Sequence, residues 1–321
     1  MITRRSTLAA LACLGMATGA AAASFPDKPI RLVVPFAPGG ASDVLGRLIA
    51  KQLQELYQQP VVVENKAGAG GHIGGEFVAR SPADGYTLLL GLPSVQGSYT
   101  IYPKLNYDPS KAFDTLTVIG TTPSVVLVNT ELPVKTIGDL IRYARENPGK
   151  LDYGSAGVGA GTHLAPEMFK QATGIQMAHV PYKGSSAAAT DLMGGQIQVM
   201  FENLPTALPL TKSGKVRAIA VTSLQRVPLA PDLPTVAEQG VPNFEFAAFY
   251  TIAAPTGLPA EVAKKLSADL DKIIRSPALA ERWHTLGITP IGGTPTQANQ
   301  YVREQAQRLN KLVKDAGLIG S

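Results

Sequence analysis

The sequence predicts an α/β protein of two lobes closing on a cleft. Three observations support this reading: uniformly apolar strand segments alternate with helical ones, the series breaks near Thr121 and restarts, and two helices follow without strands for a third domain. About 298 residues after a removable leader, from a chain 45% apolar, exceed what one compact core usually holds. The expected division is residues 25–124 plus 250–321 for one lobe and 125–249 for the other, with crossings near "TPSVVLV" and "FAAFYTI". Paired crossings make a hinge, and a ligand belongs between the lobes.

Residues 1–23 carry Arg4 and Arg5, an apolar stretch and then Ala21, Ala22 and Ala23, the pattern of a secretory signal cleaved after small residues. The expected destination is the periplasm. The lone cysteine, Cys13, lies inside this segment, so the mature chain has no disulfide or thiol chemistry. Removing Arg4 and Arg5 lowers the excess of 29 bases over 24 acids from +5 to +3. No basic run accompanies it, which argues against nucleic acid.

In the first series, "IRLVVPF" reads as a buried strand. Residues 43–57 follow as a helix with Val44, Leu45, Leu48, Ile49, Leu53 and Leu56 on one face. "PVVVEN" is the next strand, "KAGAGGHIGGEFVAR" a glycine loop entering a helix, and "DGYTLLLGLPS" a third strand. Such strands suit a parallel sheet covered on both faces. The second series runs from the helix "TIGDLIRYAREN" through the strand "KLDYGSA", the loop "GVGAGT" and the helix "HLAPEMFKQAT". It continues with "MAHVPY", "SSAAATDLMGG", "QIQVMFEN" and "VRAIAVTS", and closes on the aromatic strand of residues 244–255. Amphipathic helices over 259–275 and 295–316 complete the chain.

Known chemical motifs are missing. None of the glycine loops has the Lys of a phosphate loop, and neither "GVGAGT" nor "GAGGHI" completes a dinucleotide fingerprint with its acidic partner. There is no G-x-S-x-G elbow or H-E-x-x-H. His72, His163, His179 and His284 lack metal-site spacing, so neither metal nor cofactor is expected.

An anion cradle built from backbone remains. "PFAPGGASD" and "GSAGVGAGTHL" each join a strand end to a helix start, where unpaired N–H groups and the helix dipole favour negative charge. Gly39 and Gly40 let the main chain approach a ligand, and Ser42 is an N-cap or a ligand-facing hydroxyl. Asp43 compensates the dipole, pins the loop or receives a ligand amino group. Gly157, Gly159 and Gly161 shape the second loop, with Ser155 and Thr162 as hydroxyls. Ser94, Tyr182, Lys183, Asn203 and Phe249 complete the rim, with core packing the competing role for Tyr182 and Phe249 and a solvated charge that for Lys183.

These same segments resemble a known family. "FPDKPIRLVVPFAPGGASDVLGRLIA", "VVENKAGAGGHIGGEFVARSPADGYTLLLG", "GSAGVGAGTHLAPEMFK" and "HVPYKGSSAAATDLMGGQIQVMFENLPTALP" are similar, in order, to the signature segments of the Bug family, the TctC-type receptors of tripartite tricarboxylate transporters. The resemblance implies a type II periplasmic binding protein fold, a Venus flytrap of two Rossmann-like lobes. It implies a carboxylate ligand held mainly by main chain and water, membrane permease partners, a monomer and no catalysis. Carried over, the binding roles fall on residues 36–43, including Phe36, Ala37 and Pro38, and on 155–163, including Ala160 and His163. "GLPSVQGSYTIYP" departs from the family's loop, and Phe249 stands where many members carry Trp; both bear on the ligand. A sensory partner of a membrane kinase and a secreted hydrolase using Ser42 or His163 are the alternatives.

Overall fold

The computed structural model describes residues 25–320. The expected signal segment, with Cys13, lies outside the described residues. Strand β1 (Ile30–Val34) hands over through residues 35–40 to helix α1 (Ala41–Tyr57), which buries Leu45, Ile49 and Leu53 and leaves Arg47 and Lys51 to solvent. Then follow β2 (Val61–Asn65), α2 (His72–Ala79) and β3 (Thr87–Gly91). The third strand ends earlier than the sequence suggests. Pro93 opens a π-helical turn, Pro93–Gly97, in its place.

A 17-residue strand, β4 (Phe113–Asn129), runs through the place where the sequence reads as an interruption. Its threonines, Pro123 and Ser124 break the apolar pattern without breaking the extended backbone. After it come α3 (Ile137–Glu146), started by a capping box between Thr136 and Asp139, then β5 (Asp152–Ser155), α4 (Gly161–Thr173) and β6 (Ala178–Pro181). Helix α5 (Ser185–Met193), strand β7 (Val199–Asn203), helix α6 (Leu204–Thr211) and strand β8 (Val216–Val221) complete that series. Strand β9 (Ala247–Pro255) leads to α7 (Ala260–Ile274), α8 (Pro277–Leu286), β10 (Thr289–Gly292) and α9 (Pro295–Asp315). The sequence reading missed α6, α8 and β10, which are short and lie between stronger signals.

The strands form two sheets fused along β4. The first has the order β2-β1-β3-β9-β4-β10, the second β8-β4-β7-β5-β6. Pairs β1–β2, β1–β3, β5–β6 and β5–β7 are parallel. Both β9 and β4 run antiparallel to their neighbours, so the expected parallel sheet is a mixed one. Residues 113–123 of β4 pair with β9, and 124–129 pair with β7 and β8. The change of partner at Pro123 is fastened by Thr222, whose hydroxyl accepts from the Ser124 N–H at 2.8 Å and donates to the Phe246 carbonyl at 2.7 Å. Helices α7 and α9 return to pack on β4, and Asn310 of α9 accepts from the Thr100 hydroxyl at 2.6 Å.

Candidate functional site

Both glycine loops leave the carboxyl ends of parallel strands, β1 and β5, and meet between the two sheets. Open α/β sheets gather ligands at such ends. The first loop is braced from behind. Asp43 Oδ2 accepts from the Gly39 N–H at 3.2 Å and from Arg47 Nε at 3.0 Å, and Oδ1 accepts from Asn65 Nδ2 at 3.0 Å. The same Asn65 amide donates to the Phe36 carbonyl at 2.9 Å, so one pair of side chains holds both ends of residues 36–39. Burial pushes the Asp43 carboxyl up, but the hydrogen bonds from Arg47, Asn65 and Gly39 outweigh it and hold the group below the usual carboxylate range. Asp43 is therefore a brace for the loop.

The second loop is shaped by hydroxyls and a histidine. Thr162 Oγ1 accepts from the Ala156 N–H at 2.8 Å, and Ser155 Oγ accepts from the Gly157 N–H at 3.0 Å while meeting His179 Nε2 at 2.7 Å. His163 Nδ1 accepts from the Gly159 N–H at 3.0 Å, which fixes the proton on Nε2. Its ring stacks on His179 with centroids 4.0 Å apart, and His179 stacks on Tyr153. Burial, then the neighbouring His179 and Lys170, push His163 down to about 3. Burial likewise pushes His179 down to about 4. Both rings are neutral struts.

Between the loops lies a narrow cleft that opens to solvent. Phe36, Ala37, Gly40 and Ser42 line it from the first loop, Ala160, Gly161 and Thr162 from the second, and Ser94 and Asn203 from the rim. Helices α1, α4, α5 and α6 all start at this space, through Ala41, Gly161, Ser185 and the N-cap Asn203, as does the π-helical turn at Pro93. None of these starts is capped by a side-chain hydrogen bond. First-turn N–H groups have no carbonyl within their helix to bond, so several positive helix ends converge on one volume. Among the described residues, no Lys, Arg, Asp, Glu or His lines it. The Ser94 hydroxyl, 1% exposed, and Asn203 Oδ1 face no partner.

The other expected residues stand elsewhere. Pro38 and Gly39 are exposed at the cleft edge; the Pro38 carbonyl accepts from Ser186 Oγ at 3.2 Å. Gly157, Tyr182 and Lys183 line an adjoining space that shares Phe36 and Ala156 with the first, and the Tyr182 hydroxyl donates to Asp191 at 2.6 Å. Phe249 packs edge-on against Tyr301 in the core, 1% exposed.

Residues 45–318 match the model of the tripartite tricarboxylate transporter family receptor. The chain belongs to this receptor family. Protein BugT of Bordetella pertussis is 35% identical to it over 309 residues, 96% of this chain and 95% of BugT. The structure of R. palustris Rpa4515 with adipate is similar at a TM-score of 0.89 and 38% identity, covering 91% of this chain and 98% of that one. MatC (Rpa3494) from Rhodopseudomonas palustris with bound malate is similar at 0.85 and 29%, covering 90% and 100%.

In the receptor's cleft, sequence reading missed Leu92, Pro93, Ser185, Ala248 and Tyr250. Tyr250 was within reach of it. Successive strand residues face opposite sides, so the burial of Phe249 against α9 turns Tyr250 to the cleft. Ser185 begins α5 after the glycine of "VPYKGSS", a start signal of the same kind as those used for α1 and α4.

Proposed function

We propose that this receptor captures a small organic acid outside the cytoplasm and presents it to the membrane permease subunits of a tripartite tricarboxylate transporter. One observation carries the reading: uncapped helix starts from both sheets converge on a space that no charged side chain of the described residues lines. Main-chain N–H groups of the first turns, with the Ser42, Ser94, Thr162 and Ser185 hydroxyls, make that space selective for an anion. Hydroxyl and N–H donors from two sides suit a dicarboxylate or tricarboxylate, an acidic amino acid or an aromatic acid. Adipate in Rpa4515 and malate in MatC support the same ligand class.

The receptor works without catalysis in this reading. Ser155 and His179 form a hydrogen-bonded pair, but Ser155 lies behind the loop and is 0% exposed. His163 has its Nδ1 engaged by Gly159 and supports no nucleophile. Residues 25–124 plus 250–321 form one lobe and 125–249 the other, with β4 and β9 as the strands that bend between them. Residues 1–23 direct export to the periplasm and are removed, and no helix among the described residues is long and apolar enough to cross a membrane.

Titration calorimetry on refolded, ligand-stripped protein tests the assignment with mono-, di- and tricarboxylates, acidic amino acids and aromatic acids. One acid, or a group of related acids, is expected to bind at a single site while its amide does not. Absence of heat with every member overturns the reading.

A further inference from the structure

The cleft wall is neutral, but a carboxyl group stands directly behind it. Glu202, next to last in β7, is 1% exposed. Its chain neighbour Asn203 lines the cavity, as do Ser185, whose hydroxyl acts on the carboxyl, and Tyr250, whose phenol the carboxyl in turn pushes up. Oε1 accepts a hydrogen bond from the Thr206 hydroxyl of α6. Oε2 has no partner. An ionised oxygen buried without a donor is costly, and the same oxygen carrying a proton is far less so.

Among the described residues no cation faces the Glu202 carboxyl. From β9 the titratable group is the Tyr250 phenol, from α5 and α6 the neighbours are the Ser185 and Thr206 hydroxyls, and across the ladder on β4 stands Val125. On α4, Glu167 is held by Tyr153 and Lys170, and His163 by Gly159. Burial pushes the Glu202 carboxyl up to about 7 against the smaller pull of Thr206, Ser185 and the Asn203 N–H.

Ser185 stands between this acid and the first loop. A Cβ on Gly40 would lie 3.0 Å from Ser185 Oγ, so the hydroxyl faces the start of α1. While Glu202 is ionised, the Ser185 proton is drawn toward the carboxylate and oxygen lone pairs face the cavity. Once Glu202 is neutral, that proton is free to turn to an anion.

We propose that Glu202 is a positioning residue that couples ligand capture to proton uptake: an organic anion entering the cleft draws one proton from solvent onto Glu202, which frees Ser185 to donate to it. The proposal rests on the carboxylate reading above. A second negative charge behind the wall opposes a bound anion, so the neutral carboxyl is the form that the complex selects. The O–H formed on Glu202 replaces the bond to hydrogen broken in a hydronium ion or buffer acid, and no other bond changes.

Calorimetry of the full protein with malate and adipate, in buffers of differing ionisation heat, measures the protons taken up. Expected is nearly one proton per acid bound at about pH 8, close to none at about pH 6, and affinity falling about tenfold per pH unit above about pH 7. Glu202→Gln, neutral at every pH, is expected to flatten the profile. Infrared spectroscopy of wild type without added acid is expected to show a protonated-carboxyl band that titrates near neutrality and is absent in Glu202→Gln. Neither the infrared titration of wild type nor its calorimetry depends on the variant folding. Binding without proton uptake, or a Glu202 already ionised at about pH 6, overturns this proposal and leaves the receptor reading standing. No heat with any carboxylate overturns both.

Discussion

Asp43 braces the first loop without lining the cleft. By holding the Gly39 N–H and Asn65 it fixes the loop whose later residues line the cleft. The buried imidazoles do the same for the second loop and for α2, and they have a measurable consequence. Burial pushes His72 down to about 4, His163 to about 3 and His179 to about 4. The unfolded chain takes up these protons near the ordinary value of 6.5, so it binds more protons than the folded chain across the interval below. Their contribution to stability is complete above about pH 6.5 and is lost as the pH falls toward about 4. Glu202 acts in the opposite sense, since its folded form keeps a proton that the unfolded chain releases near 4.5. With three groups against one, the melting temperature is expected to fall steadily below about pH 6.5. A flat profile down to about pH 4.5 would contradict neutral, buried rings.

The segment after β3 closes the cleft at the level of elements. Ser98 Oγ donates to the Gly159 carbonyl at 2.8 Å, and the Tyr102 hydroxyl donates to the Val158 carbonyl at 3.1 Å, so a turn from the first sheet holds the loop of the second. Gly70 leaves room for this approach: a Cβ there would overlap both the Val158 oxygen and the Tyr102 hydroxyl. Removing one such hydrogen bond costs about 1 kcal/mol, or about fivefold in affinity if it forms on closure. Ser98→Ala and Tyr102→Phe are each expected to weaken acid binding by about that factor, through faster release in stopped-flow. Unchanged release would assign these contacts to the static fold. The two glycine loops were legible in sequence because an apolar strand, a glycine pair and a helical stripe occur together. The closing turn was not. "GLPSVQG" continues the apolar run of β3 past Pro93, and its π-helical geometry has no residue signature of its own. Strand β4 was hidden for the converse reason, since Thr121, Thr122, Pro123 and Ser124 read as a break in the series and only their pairing with β9 and β7 makes them strand.

At the scale of the molecule, two mixed sheets share one long strand, and the helix starts of both face a common space. The α/β class and the two series of elements could be read from the sequence because hydrophobic periodicity survives in each segment. The antiparallel course of β4 and β9 could not, because pairing direction leaves no trace in a single strand. On the proposed division into lobes, an anion held by N–H groups from both sides would gain its full set of donors when the lobes shut, so binding would favour the shut form. The most direct test is a crystal structure of the receptor with the acid it binds. The account predicts one carboxylate of that acid between residues 36–43 and 155–163, its oxygens on the first-turn N–H groups of α1 and α4 and no cationic side chain in contact. An acid bound elsewhere, or held there through Lys or Arg, would contradict it.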